Sequence, residues 1–206
     1  MQGKTHAAVG VATYVFLCSK LPGKFSTIGM IVTVVSSIIP DIDHPKSIIN
    51  KYLLPKKSEK TKRVFYAALG IIILCFDKIY TRDIGVKAVG IAFICISLNS
   101  HRNGFSHSFL GFVLASIIGS IVEVRINTPY LTLYIVAGYM SHLIGDMFTK
   151  HGIPLFYPFN IIKVKFPINY SVGSKKGRFI EGIIRILVMI YIVYSFMPWQ
   201  ILKIYN

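Results

Sequence analysis

Seven apolar blocks, at 6–19, 28–39, 64–76, 84–98, 109–122, 130–148 and 183–202, make up most of this chain, and the links between them hold most of its charge. A segment that sits in hydrocarbon must pair its own backbone polar groups, and a helix does so within itself. The composition agrees: 53% of residues are hydrophobic and 15% charged, where soluble domains carry roughly 25% charged residues. The expected fold is therefore all-α, a polytopic membrane bundle of about seven hydrophobic helices in a single domain, 1–206. The first two blocks hold about 12–14 residues, short of the roughly 20 that cross a bilayer, so they are tilted, assisted by flanking residues, or re-entrant. The seventh is long enough to span outright.

Charge sets the orientation. The net charge is +15. With no basic helix and no recognisable motif, nucleic acid is disfavoured as a partner. The basic residues lie between apolar blocks, where they suit anionic headgroups and topology control. If the blocks alternate in direction, one side collects Lys4, Lys46, Lys51, Lys56, Lys57, Lys60, Lys62, Arg63, Arg102, Lys150, Lys163, Lys165, Lys175, Lys176 and Arg178. The other collects only Lys20, Lys24, Lys78, Arg82, Lys87, Arg125 and Lys203. The richer side is assigned to the cytoplasm, in a bacterial cytoplasmic membrane. No small-residue cleavage motif follows MQGKTHAAVG, so the first block reads as retained. Cys18, Cys75 and Cys95 lie inside blocks without CxxC spacing. That argues against a disulfide framework and a thiolate zinc site and suggests small buried apolar residues.

The chemistry concentrates in 138–158, GYMSHLIGDMFTKHGIPLFYP. His142 and Asp146 are four residues apart, on one helix face. Ionisable groups inside an apolar helix are costly, and they mark function by default. Other candidates recur at block ends: His6, then Asp41, Asp43 and His44 in PDIDHP, then His101 and His107 in SHRNGFSHS. Block alternation puts all of them on the basic side, although the charge argument never used them. Imidazoles and carboxylates gathered at one depth are what a zinc, manganese or iron site needs. Each has a plainer reading alone. His6 can be interfacial, PDIDHP a capped turn, His101 and His107 headgroup contacts, and His142–Asp146 a structural hydrogen bond. His151 stands in a turn with no partner in sequence.

Together, PDIDH, HRNGFSHS, the 138–158 stretch and a His near the N-terminus resemble the YdjM-like family of membrane-bound metal-dependent hydrolases, from about residue 6 to residue 158. The 138–158 stretch is the most specific part. Where the family's middle motif reads like HRGxTHS, this chain has an added Asn103, and Ser106 in place of Thr. The resemblance implies a membrane-embedded hydrolase. A fainter likeness, in ligand order alone, is to zinc-dependent phospholipases C and single-strand-specific nucleases.

The expected centre holds two or more divalent ions, Zn²⁺ foremost, with Mn²⁺ or Fe²⁺ as alternatives. Its ligands come from His6, Asp41, Asp43, His44, His101, His107, His142 and Asp146. Which of Asp41, Asp43 and His44 touches an ion is open, the others orienting ligands from behind. Asp43, Arg102 and Asp146 are the expected catalytic residues, with Arg102 as a planar fork on a phosphate oxygen. Ser108 and Thr149 are expected near the substrate. Membrane lipids are the expected surroundings. The expected substrate is amphiphilic and phosphate-bearing, a phospholipid or lipid-linked phosphate cleaved by metal-activated water. Two other readings use the same residues: a divalent-metal transporter or channel, and a scaffold whose metal only staples the bundle. A transporter calls for a midplane site and often a repeat, and the chain shows no repeat.

Overall fold

The computed structural model describes residues 1–21, 25–98 and 104–196, and the regular structure within them is helical apart from two isolated β-bridges. Eight α-helices follow in order: α1 Gly3–Cys18, α2 Thr27–Ser36, α3 Ile48–Leu53, α4 Glu59–Phe76, α5 Ile84–Leu98, α6 Phe109–Ile126, α7 Leu131–Met147 and α8 Lys175–Phe196. Short 3-10 turns stand at Ile39–Asp43 and Phe105–His107. Three stretches are long and apolar enough to cross a membrane: Glu59–Thr81, which is α4 with the π turn after it, Phe109–Ile126 and Lys175–Phe196. The remaining blocks form shorter helices.

The link 41–63 is more ordered than its composition suggests. Ser47 caps α3, its hydroxyl accepting from the Asn50 N–H. Ser58 caps α4 in the same way from Thr61, so Lys60, Lys62 and Arg63 ride on the first turns of a helix. A hydroxyl at this position satisfies an N–H that the helix leaves unpaired.

Helix α7 lies at the centre, packed on α1, α2 and α6, while α8 packs on α1 and α4 pairs with α5. Small residues let these helices approach. A Cβ on Gly70 would lie 2.9 Å from the carbonyl of Gly90 across the α4–α5 contact. Gly138 of α7 sits directly against the Thr33 carbonyl of α2 and the side chain of Ser36. Outward-facing Ile186, Leu187, Ile190 and Val193 leave α8 an exposed apolar surface suited to acyl chains. Cys75 is exposed on α4 and Cys18 and Cys95 are only half-buried, so the expectation of three buried cysteines fails outright for Cys75 and holds in part for the other two. A cysteine on a lipid-facing surface is no less apolar in its surroundings than one in a core.

After α7 the chain runs as a non-helical strap to the start of α8. Lys150 donates to the Tyr170 carbonyl at 2.8 Å, and Ile153 and Val164 exchange backbone bonds at 3.0 and 2.8 Å. Gly152 has φ +60° where the strap turns under Val164. The Tyr157–Pro158 bond is cis. The Phe109 N–H donates to the Leu155 carbonyl at 2.8 Å, tying the strap to the start of α6.

Candidate metal centre

His6 lies in the first turns of α1, Asp41 and Asp43 in the turn that ends α2, His107 in the turn that begins α6, and His142 and Asp146 in the last turns of α7. Beginnings and ends of alternating helices therefore meet at one end of the bundle. Four of these side chains converge. One ligand atom each from Asp41, His107, His142 and Asp146 lies within 4.8 Å of all the others. The two imidazole Nε2 atoms are 3.2 Å apart. Asp146 Oδ2 is 3.5 Å from His107 Nε2 and 3.6 Å from His142 Nε2. Asp41 Oδ1 is 3.7 and 3.8 Å from the same two nitrogens. Ligands about 2.0–2.2 Å from a tetrahedral ion stand roughly 3.3–3.6 Å from one another. The group has the dimensions of a coordination sphere.

Hydrogen bonding behind the rings fixes which nitrogens face inward. His142 Nδ1 is 2.7 Å from the Ser37 carbonyl, which can only accept. Nδ1 is therefore the N–H, and Nε2 presents a lone pair to the cluster. His107 Nδ1 lies 3.1 Å from Ser106 Oγ. That hydroxyl donates its own proton to Asp43 Oδ2 at 2.6 Å, leaving a lone pair for the ring. Histidine ligands are commonly held by a carbonyl or carboxylate in this manner. Two nitrogens 3.2 Å apart cannot both present bare lone pairs without a cation between them; a proton on His107 serves when no metal is bound, and a metal ion fits in its place.

The electrostatics of the turns at this end agree. Burial disfavours a charged His107 ring, yet Asp43, Asp146 and Asp41 together hold its pKa well above the ordinary imidazole value. Burial also opposes ionisation of Asp41, but His142, His107 and His6 outweigh it and lower its pKa to about 2. The pocket is built for positive charge at its centre.

His6 stacks on His142, ring centroids 3.7 Å apart, and its Nε2 lies 3.1 Å from Asp146 Oδ1. Its Nδ1 is buried with no hydrogen-bond partner. Asp146 thus uses one oxygen on the four-atom group, while the other meets His6 and the Met1 amino group. Asp43 stands behind His107, and Asp41 is the residue of the pair that joins the group. His44 is outside the group; its Nδ1 accepts from the Lys46 N–H at 3.2 Å. Ser108 is fully buried, and its hydroxyl caps α6 at Gly111 and donates to the Phe105 carbonyl. Thr149 lies on the wall of the cavity above the group, with its hydroxyl on the Asp146 carbonyl at 2.8 Å. His101 and Arg102 fall outside the described residues.

Three supporting residues escape a sequence reading. Asn50 is fully buried; its amide donates to the Ile42 and His44 carbonyls at 2.7 and 2.8 Å, clamping the turn that carries both aspartates. Tyr66 donates to the same amide at 2.5 Å. Glu181 of α8, also fully buried, accepts from the Gln2 N–H and from the hydroxyls of Thr5 and Tyr170. It fastens the start of α1, and with it His6. A Glu four residues before Arg185 at the edge of an apolar block was the available signal.

The cavity above the group has a volume of about 710 Å³, and Asp41, His107 and Asp146 form part of its floor. His151, isolated in the sequence, lines it as well.

Among known proteins, no curated protein and no solved structure matches the chain. A family model described as YdjM inner membrane protein matches residues 1–202, and the chain belongs to that family.

Proposed function

We propose that this member of the YdjM inner membrane family is a metal-dependent hydrolase acting on a phosphoester or phosphodiester of an amphiphilic, anionic substrate. One observation carries the reading: two imidazole nitrogens and two carboxylate oxygens at coordination spacing, three of the four from residues that line an open cavity. A divalent ion bound there supplies a water acidic enough to ionise near neutral pH and a charge for the phosphoryl oxygens. The mixed nitrogen and oxygen set and near-tetrahedral spacing favour Zn²⁺, with Mn²⁺ or Fe²⁺ as alternatives.

In this reading Asp41, His107, His142 and Asp146 hold the first ion. A second ion, if bound, would draw on His6 and the other Asp146 oxygen, where the Met1 amino group now sits. Asp43, through Ser106, keeps the His107 Nε2 lone pair aimed inward. Arg102 is assigned to a phosphate oxygen of the substrate, and Thr149 to hydrogen bonding at the cavity wall. The excess of basic residues expected at this end supports a site that faces the cytoplasm, by the positive-inside rule.

The same side chains would serve a divalent-metal transporter. A transit site belongs near the bilayer midplane, whereas these residues gather at helix ends beneath an open cavity, which favours hydrolysis. The test is elemental analysis of purified protein, followed by lipid and soluble phosphoester substrates. Asp146→Ala is expected to insert normally and to lose both the ion and the hydrolysis. An Asp146→Ala protein with normal metal content overturns the assignment.

A further inference from the structure

The walls of the cavity carry chemistry that one metal-bound phosphoryl group would leave unused. Among the described residues lining it, the acidic side chains are Asp41 and Asp146, both in the four-atom group. The other ionisable side chains on its walls include two lysines, Lys46 and Lys163, and two further histidines, His44 and His151. A divalent ion balances the two carboxylates. The Met1 amino group already pairs with Asp146, so the solvent-exposed Lys46 and Lys163 on the walls add positive charge beyond what the carboxylates need, in a cavity whose volume falls within the roughly 300–1,000 Å³ of small-molecule sites.

These cations are carried on well-anchored backbone. Lys46 follows the Asn50-clamped turn, and its own N–H is bonded to His44. Lys163 precedes Val164, and His151 lies two residues before Ile153; the reciprocal Ile153–Val164 bonds hold both segments together. On the outside of the strap, Phe159 is 92% exposed and Ile168 84%, beside exposed Phe156 and Ile161. Aromatic and aliphatic groups alternating with lysine suit the headgroup boundary of a bilayer, with apolar groups in the acyl region and ammonium groups at phosphate level.

We propose that the ligand of this cavity carries two anionic groups, one over the metal floor and a second bound by Lys46 and Lys163 with His151 beside them. This rests on the metal-bearing reading of the floor given above, and it narrows the substrate to a doubly anionic head. The second group adds affinity that a single phosphate cannot obtain.

The experiment titrates metal-loaded protein in detergent with glycerol 3-phosphate and with glycerol 1,3-bisphosphate, following heat rather than turnover. Wild type is expected to bind the bisphosphate on the order of tenfold more tightly, equivalent to about 1.4 kcal/mol. Lys46→Gln/Lys163→Gln is expected to keep its metal and bind the two probes alike. Lys163→Gln alone, the milder change, should lose part of the preference. Equal binding by wild type overturns the proposal, as does a double variant that keeps the preference. Repeating the titration in phosphatidylcholine nanodiscs, with and without cardiolipin, identifies the source of the head. Competition by cardiolipin that disappears in the double variant assigns a lipid; no competition assigns a soluble bisphosphate. Because turnover is not read, a two-anion preference without hydrolysis of any phosphoester would remove the hydrolase reading and leave this one standing.

Discussion

The two ends of the bundle treat their carboxylates differently. At the end away from the cavity, Asp77 is buried but accepts from the Thr81 hydroxyl at 2.9 Å and the Asp83 N–H at 2.5 Å, with Lys87 Nζ 3.9 Å away. Asp83 accepts from the Gly85 and Val86 N–H groups and pairs with Arg125. Those charges are closed off by the protein's own donors and cations. At the cavity end, Asp41, Asp43 and Asp146 meet imidazoles, with the Met1 amino group on one oxygen of Asp146. Imidazole is a conditional partner, charged only when protonated and otherwise a lone-pair donor to a metal. The difference is between an end completed by folding and an end prepared for an added cation.

The most severe way to break this contrast is His142→Ala. It removes a ligand and the bond to the Ser37 carbonyl, and metal content by elemental analysis should fall to background. Asp77→Asn at the other end should leave metal content unchanged. A smaller effect is expected from Asp43→Asn, which disturbs the support of His107 without touching the four atoms. Metal affinity by competition with a chelator should fall about 10–100-fold, and a drop as deep as that of His142→Ala would make Asp43 a direct ligand.

Proton linkage sharpens the contrast further. The surrounding carboxylates hold metal-free His107 protonated above the ordinary imidazole range, and an ion needs its bare Nε2. Binding must expel that proton, so affinity falls as pH is lowered and keeps rising with pH beyond about 6.5, the ordinary imidazole value. Asp41, with its pKa lowered to about 2, contributes no such dependence near neutrality. Affinity that is flat through that range would contradict the assignment of His107. The slightest effect belongs to Arg125→Ala. Its partly exposed pair with Asp83 contributes less than about 1 kcal/mol, so thermal stability should shift little and metal content not at all.

The sequence carried the general plan. Apolar blocks at His6, PDIDH, the SHS of 106–108 and His142–Asp146 alternate so that all lie at one end, and the structure gathers their side chains there. Finer assignments were out of reach for physical reasons. Asp41 and Asp43 are two residues apart in a tight turn, and only the folded contacts show that Asp41 meets both Nε2 atoms while Asp43 meets Ser106 and the far side of His107. Ser108 reads as a polar residue beside a site, yet it is spent on capping α6, a role that depends on where the helix begins. The helices α3 and α4 claim residues that composition alone assigns to a basic link, because Ser47 and Ser58 supply caps. His151 acquires company only when the strap folds back through Ile153 and Val164.

Gly138 lies one helical turn above His142, pressed on the Thr33 carbonyl, and Ser37, whose carbonyl holds the His142 ring, follows at the end of α2. The ring is therefore placed by the lateral fit of two apolar helices. Any bilayer stress that prises α2 from α7 would reach the imidazole before it reached the cavity walls.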